Sequence, residues 1–389
     1  MTDEPPRVVI TGLGAVSPLG RGADSLWRAL LEGQSAVGTL SGLDAPDLGP
    51  QVAAQIRDYA PPPGLDSSLV GLRRPHLLAV DAALLAVADA RLPIVPQTAG
   101  QVAVVVGSAL GGDPSGPVAR ALGAQGPAFT ALAGACSGTW ALGLGAAIIR
   151  RRQVMAAVCG GTEAPLTPEV LHHFEARGLL SHRRQEPAGA CRPFDAAHDG
   201  TVLGEGAAFL VLEERDLALS RGAPVYAEVV GLGAAHQSDG ETPDPVTAGE
   251  ALRSALMERP LLQGEIDLYW ACAPGIPEHD RLETTAVKRF FGGGAYRLAV
   301  AASKGATGHL LGASGALEAM ACALALRHQT IPPAVNCDQP DPECDLDIVR
   351  GGPRQERLTN AISYAFGPDL PAGQAGGHHA CLILAAPAD

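Results

Sequence analysis

The stretch FTALAGACSGTWALGLGAAIIR, residues 129–150, decides how this sequence is read. Residues 129–133 are mostly apolar and suit a short strand. Gly134, Ala135 and Ser137 are small and suit a tight turn around Cys136. The run that follows, rich in Ala, Gly and Leu and ending in Arg150, suits a helix whose last turn carries cations. Cys136 stands where strand gives way to helix. A thiol there faces unpaired backbone N–H groups and the positive end of a helix dipole, and both favour a thiolate nucleophile. The same residue also reads as a small buried cysteine among alanines and glycines.

The rest of the chain bounds the answer. Its 389 residues can hold two domains or one duplicated one, and 47% hydrophobic residues supply ample core. A net charge of −13 argues against nucleic acid and against an anionic membrane surface. Eight cysteines show no CxxC pair and no histidine spacing that would bind zinc, so neither a metal site nor a disulfide framework is expected. The acidic stretch Met1–Pro6 is unlike a signal or transit peptide, no apolar run would span a bilayer, and a reducing cytosol is the expected compartment.

Residues 7–20 read as a buried strand entering a Gly-rich turn, and residues 24–33 as a helix with Asp24 as its N-cap. Residues 40–75 read mostly as loop, 77–91 as helix, 101–112 and 154–161 as buried strands. Continuous Val/Ala/Leu runs alternating with helices indicate an α/β fold with its sheet covered on both faces. Val229–Ala234 echoes Ile10–Ala15, and Leu298–Lys304 parallels the strand at 102–108. Similarity at half the chain length suggests a duplicated core, with halves 1–222 and 223–389. Residues 367–379 read as a Gly/Pro-rich loop before a last strand at 380–385.

Several motifs together resemble the elongating β-ketoacyl synthases of fatty-acid and polyketide assembly. These are VVITGLGAVSPLG at the start, GACSG around Cys136, Arg192-Pro193-Phe194-Asp195 with Asp199-Gly200 and Gly204-Glu205-Gly206, and Ser303-Lys304 followed by GHLLGASG at 308–315 and Glu318. They run in the family's order over nearly the whole chain. The resemblance implies a thiolase-like αβαβα layered fold and no cofactor. It also implies an acyl carrier protein that delivers an acyl group to Cys136. Carried over by position, His309 is the second of two histidines that assist malonyl decarboxylation and steady the oxyanion. Lys304 fixes its surroundings, Glu318 is the buried acidic partner, and Phe129 would reach a partner subunit's pocket.

Three departures qualify this. Cys272 stands where the family has its first histidine, and a thiol is a weak donor; removing one oxyanion donor typically costs about 10²–10³ in rate. His279 lies seven residues on, and the helix it opens is expected to carry it away. Only a short segment joins Gly112 to Phe129. The family's pocket loop is replaced by Ala365-Phe366-Gly367-Pro368 and an insertion ending at His378-His379, adjacent residues expected to point to different sides rather than to hold a metal. Arg150, Arg151 and Arg152 either complement a helix C-terminus or dock the acidic carrier protein, with Arg183 and Arg184 possible additions to that patch.

Two functional readings follow. One is a degenerate subunit, similar to the chain-length factor of type II polyketide systems, that shapes the pocket of a ketosynthase heterodimer. The other is a catalytic acyltransferase that uses Cys136 with altered chemistry. Both imply a dimer, with a related ketosynthase or with itself.

Overall fold

The computed structural model describes residues 5–43, 45–49, 51–62, 71–238, 240–368, 370–371 and 376–387. The expectation for Met1–Pro6 therefore lies almost wholly outside the described residues, as do parts of the loops expected at 40–75 and 367–379.

The first half contributes β1 (Val8–Ser17), α1 (Arg74–Ala90), β2 (Val102–Gly107), β3 (Ala128–Ala131), α2 (Ser137–Arg150), β4 (Ala156–Glu163) and β5 (Gly206–Glu214). The second contributes β6 (Ala227–His236), α3 (Pro245–Glu258), β7 (Leu268–Trp270), α4 (Pro277–Phe291), β8 (Ala299–Ala301), α5 (Ser314–His328), β9 (Asn360–Gly367) and β10 (His378–Ala385). The strands lie in the order β8–β7–β9–β10–β6–β1–β5–β4–β2–β3, with Asp347–Ile348 added outside β8. From the β6–β1 seam outward the two sides mirror each other. Each has two antiparallel neighbours, then parallel pairs out to the edge. The seam itself pairs only Val8–Ile10 with Ala227–Val229, so the sheet divides there into two layers.

Three layers of helices complete the αβαβα stack. Strand alternation decides which side chain meets which layer. On β2, Val102, Val104 and Val106 pack outward with Leu78, Val80 and Ala86 of α1. Ala103 and Val105 point inward to Leu142 and Ile149 of α2 and Leu317 and Met320 of α5. On the far side, Leu252 of α3 and Val287 of α4 cover Tyr269, Val300, Ile362 and Ile383. α5 is buried all round from Ser314 to Leu326, as a helix between two sheets must be. Small residues let the central helices close. A Cβ on Gly138 would lie 2.8 Å from the Gly312 carbonyl oxygen, and one on Gly145 would lie 2.1 Å from Cys159 Sγ.

Several expectations need correction. The first helix spans Ala23–Leu31 and begins at Gly22 without a side-chain cap; Asp24 sits inside its first turn. Short strands occupy Gly38–Thr39 and Val52–Ala53, and α1 already starts at Arg74. The last strand includes His378 and His379. In the mirrored sheet, β8 takes the place of β3, the strand before the nucleophile turn, while β7 corresponds to β2. Leu298–Lys304 thus parallels the segment leading into Cys136 and not residues 102–108. Among the described residues no helix is long and apolar enough to cross a membrane.

Candidate active site

β3 ends at Ala131 and the chain turns through Gly134, whose φ of 54° favours glycine. The turn is tied by Cys136 N–H to Ala133 O at 3.0 Å and Ser137 N–H to Gly134 O at 3.1 Å. Ser137 Oγ accepts from Ala133 N–H at 2.9 Å and lies 3.1 Å from Ser108 O. These bonds fix Cys136 at the N-terminus of α2. Its side chain is fully buried, and the thiol donates to His378 O at 3.1 Å. Burial, with Cys272 adding to it, raises the thiol well above its ordinary pKa; Lys304 pulls weakly the other way. The thiolate expected from the helix end is therefore not the resting form of the free chain.

Cys272 follows β7 and is also buried. Glu283 clamps its turn, accepting from Cys272 N–H at 2.9 Å, Ala273 N–H at 2.8 Å and the Tyr269 hydroxyl at 3.1 Å. Lys304 Nζ donates to Cys272 O at 2.6 Å and to Glu318 Oε1 at 2.5 Å, and stands 3.8 Å from Cys272 Sγ. Burial opposes the ammonium, but Cys272 and Glu318 outweigh it and Lys304 stays protonated. Burial pushes Glu318 up to about 7 against the pull of Lys304. The Cys272 thiol is pushed up to about 12, again by burial.

His309 is strapped by the segment carrying Gly204-Glu205-Gly206: its N–H donates to Val202 O at 2.7 Å, and Gly204 N–H donates to its carbonyl at 2.9 Å. Nδ1 accepts from Leu311 N–H at 3.1 Å and lies 3.1 Å from Ser314 Oγ. Burial first, then Lys304, holds the ring far below its ordinary pKa. A neutral ring whose Nδ1 accepts carries its proton on Nε2, which is then a donor.

Phe366 closes β9. Its carbonyl lies 3.9 Å from Cys272 Sγ, and its ring meets His379 at 5.0 Å and His279 at 5.7 Å. His279 is thus not carried away. The turn before α4, with Ala273 at φ 28° and Gly275 at φ 81°, folds the helix start back onto Phe366, and His279 lies close enough to His309 to depress its pKa. Burial lowers His279 itself to about 4. Sequence spacing held no signal for this, because the reversal depends on a left-handed alanine. His378 and His379 part as expected: His378 faces His236 at 4.8 Å, and His379 bridges the Tyr364 hydroxyl at 2.6 Å and Gln237 Oε1 at 2.5 Å. Among the described residues no group of three His, Cys, Asp or Glu is placed to hold a metal ion.

The remaining candidates lie apart. Phe129 is on β3, at the open edge of the sheet, and packs against the central core. Arg150 is committed within the chain, to Val229 O at 2.7 Å, Val230 O at 3.0 Å and Glu258 Oε2 at 2.9 Å; Arg151 and Arg152 are exposed. Arg183 donates to Ala197 O at 3.0 Å and Arg184 to Glu175 at 3.2 Å.

The family profile "Beta-ketoacyl synthase, N-terminal domain" matches residues 6–114 and 95–218, and "Beta-ketoacyl synthase, C-terminal domain" matches residues 226–338. A 3-oxoacyl-[acyl-carrier-protein] synthase 2 of Coxiella burnetii (strain RSA 493 / Nine Mile phase I) is 36% identical over 414 aligned positions, covering 97% of this chain and 98% of that protein. Those positions outnumber the chain's own residues, so the relative carries segments absent here. The ishigamide ketosynthase/chain length factor superposes with a TM-score of 0.88 at 29% identity, over 99% of this chain and 100% of that one. A structure described as a type II PKS acyl-carrier protein in complex with its ketosynthase bound to the hexaketide gives 0.87 at 25% identity, over 99% and 100%. By these matches and by its layered architecture, the chain belongs to the β-ketoacyl synthase family.

Proposed function

We propose that the chain is a ketosynthase-type subunit that takes an acyl group from an acyl carrier protein onto Cys136 but does not decarboxylate a malonyl group unaided. The observation that carries this is Cys272, a thiol held by Lys304 at the position where the resemblance places a histidine, beside an otherwise complete set of Cys136, His309 and Lys304. In the transfer step Cys136 sulfur attacks the thioester carbonyl, the carbonyl electron pair moves onto oxygen, and Nε2–H of His309 is a donor available to that oxyanion. The intermediate collapses with loss of the carrier thiol, which takes the proton that Cys136 gives up. A neutral Cys272 thiol replaces a good donor with a weak one, so formation of a malonyl-derived enolate lacks half its support.

Such a subunit works beside a related, complete ketosynthase. The open edge at β3 suits pairing with a second chain, since an unpaired strand edge with Leu132 59% exposed next to it is otherwise a liability. With Arg150 committed within the chain, the exposed Arg151 is the cation of that cluster offered to an acidic carrier protein.

The test is the intact mass of the chain after incubation with an acyl-carrier protein, with Cys136→Ala as control. The expected result is an acyl adduct on the wild type that the variant lacks. No adduct, alone or with a partner ketosynthase, overturns this reading. It would favour a second one, a chain-length-factor-like partner that only shapes the acyl pocket. The full burial of Cys136, with its thiol held protonated, supports that alternative.

A further inference from the structure

Buried hydrogen-bonding groups in folded proteins are nearly always paired, so an unpaired one needs a reason. Trp140 supplies such a case at the shoulder of the nucleophile. Its indole Nε1–H is buried and has no hydrogen-bond partner among the described residues. The ring packs on a small cluster made of Ala133, Cys136, Ala365 and Ala380, none of which offers a side-chain oxygen. Trp140 N–H donates to Cys136 O at 3.0 Å, so the two residues stand one helical turn apart on the same face of α2. Side chains spaced in this way begin about 6 Å apart and meet. A buried N–H left unpaired costs roughly 1–3 kcal/mol, a penalty that a phenylalanine of similar shape would avoid.

We propose that Trp140 recognises an oxygen on the acyl chain carried by Cys136, so that the site prefers 3-oxoacyl thioesters to saturated ones. The proposal rests on Cys136 being an acyl acceptor. Attached to its sulfur, an acyl chain begins at the thioester carbonyl, and a 3-oxo group lies only two carbons further on, within a side chain's length of the sulfur. An oxygen there accepts the indole N–H. A methylene in the same place leaves the N–H unpaired and gains nothing from it. None of the four side chains the ring packs on carries an N–H or O–H, so within that cluster the indole N–H alone can single out an oxygen.

The test compares acetoacetyl- and butyryl-carrier protein, which have equal chain length and differ at that one carbon. Rates of adduct formation on Cys136 are read by intact mass for the wild type and for Trp140→Phe, which keeps an aromatic ring and removes the N–H. The expected result is a wild-type preference for acetoacetyl and, in the variant, a fall of about fivefold in the ratio of acetoacetyl to butyryl rates. Formation of the butyryl adduct by the variant shows that its site is folded. Equal losses on both chains, or no loss, overturn the proposal. A second readout needs no variant. The chain has three tryptophans, and in ¹⁵N-indole spectra one N–H resonance should move downfield on acetoacetyl loading and not on butyryl loading. The absence of that difference also overturns it. If neither chain forms an adduct on the wild type, the acyl-acceptor reading fails and takes this proposal with it. If both chains load and Trp140→Phe leaves their ratio alone, only this proposal fails.

Discussion

Lys304 and Glu318 are each 1% exposed, and the ammonium also holds the Cys272 carbonyl. Removing one member of a buried ion pair strands the other, which typically costs about 3–5 kcal/mol. Lys304→Ala should therefore lose about that much unfolding free energy in a urea titration, and the double change Lys304→Met, Glu318→Met should lose less. Equal losses would show that the charge pairing is unimportant. Cys136 teaches the opposite lesson about magnitudes. The sequence offers a helix end, whose dipole contributes roughly 0.3–1 kcal/mol. The fold adds full burial, and withdrawing a charge from water costs several kcal/mol, so burial wins and the thiol stays protonated. Burial of that depth comes from β10 lying over the turn, which no local pattern announces.

The start of α4 depends on a clamp that the sequence did not reveal. His198 lies between Asp280 and Asp341, with Nδ1 and Nε2 each 3.1 Å from a carboxylate oxygen, and Phe194 N–H donates to Asp280 at 2.8 Å. Burial works against a charge on His198, but the two carboxylates outweigh it and its pKa is raised. Burial raises Asp280, whereas backbone and Arg281 contacts leave Asp341 lowered. A raised histidine contributes stability that is fully present below its unfolded pKa, about 6.5, and is lost as pH rises through the folded value. His198→Gln should thus cost more unfolding free energy at pH 6 than at pH 9. A cost that is the same at both, measured by urea titration, would remove the charge from the account. The same scale explains the mistaken echo. A buried strand runs over Ala299–Ala301 within the expected 298–304, with Lys304 already opening a helix, and its place beside β7 is set by pairing with segments far away in the chain.

At the scale of the molecule, the layered fold was legible because its signals are redundant. Buried strands, Gly/Ala-rich helices and ordered motifs all agree, and Cys272 and Glu318, brought together around Lys304, come from before and after it in the second half. What was not legible is how the site is enclosed. Phe366 meets His379 because β9 and β10 pair in one register, and it meets His279 because the turn before α4 folds back. The proposed replacement of a histidine by Cys272 carries the central claim, that an acyl-accepting site has lost the support for malonyl decarboxylation. The most direct measurement is carbon dioxide release from malonyl-carrier protein by the wild type and by Cys272→His. The expected result is near-background release by the wild type and a rise of about 10²–10³ in the variant, the usual worth of one oxyanion donor. Release by the wild type as fast as by Cys272→His would contradict the account.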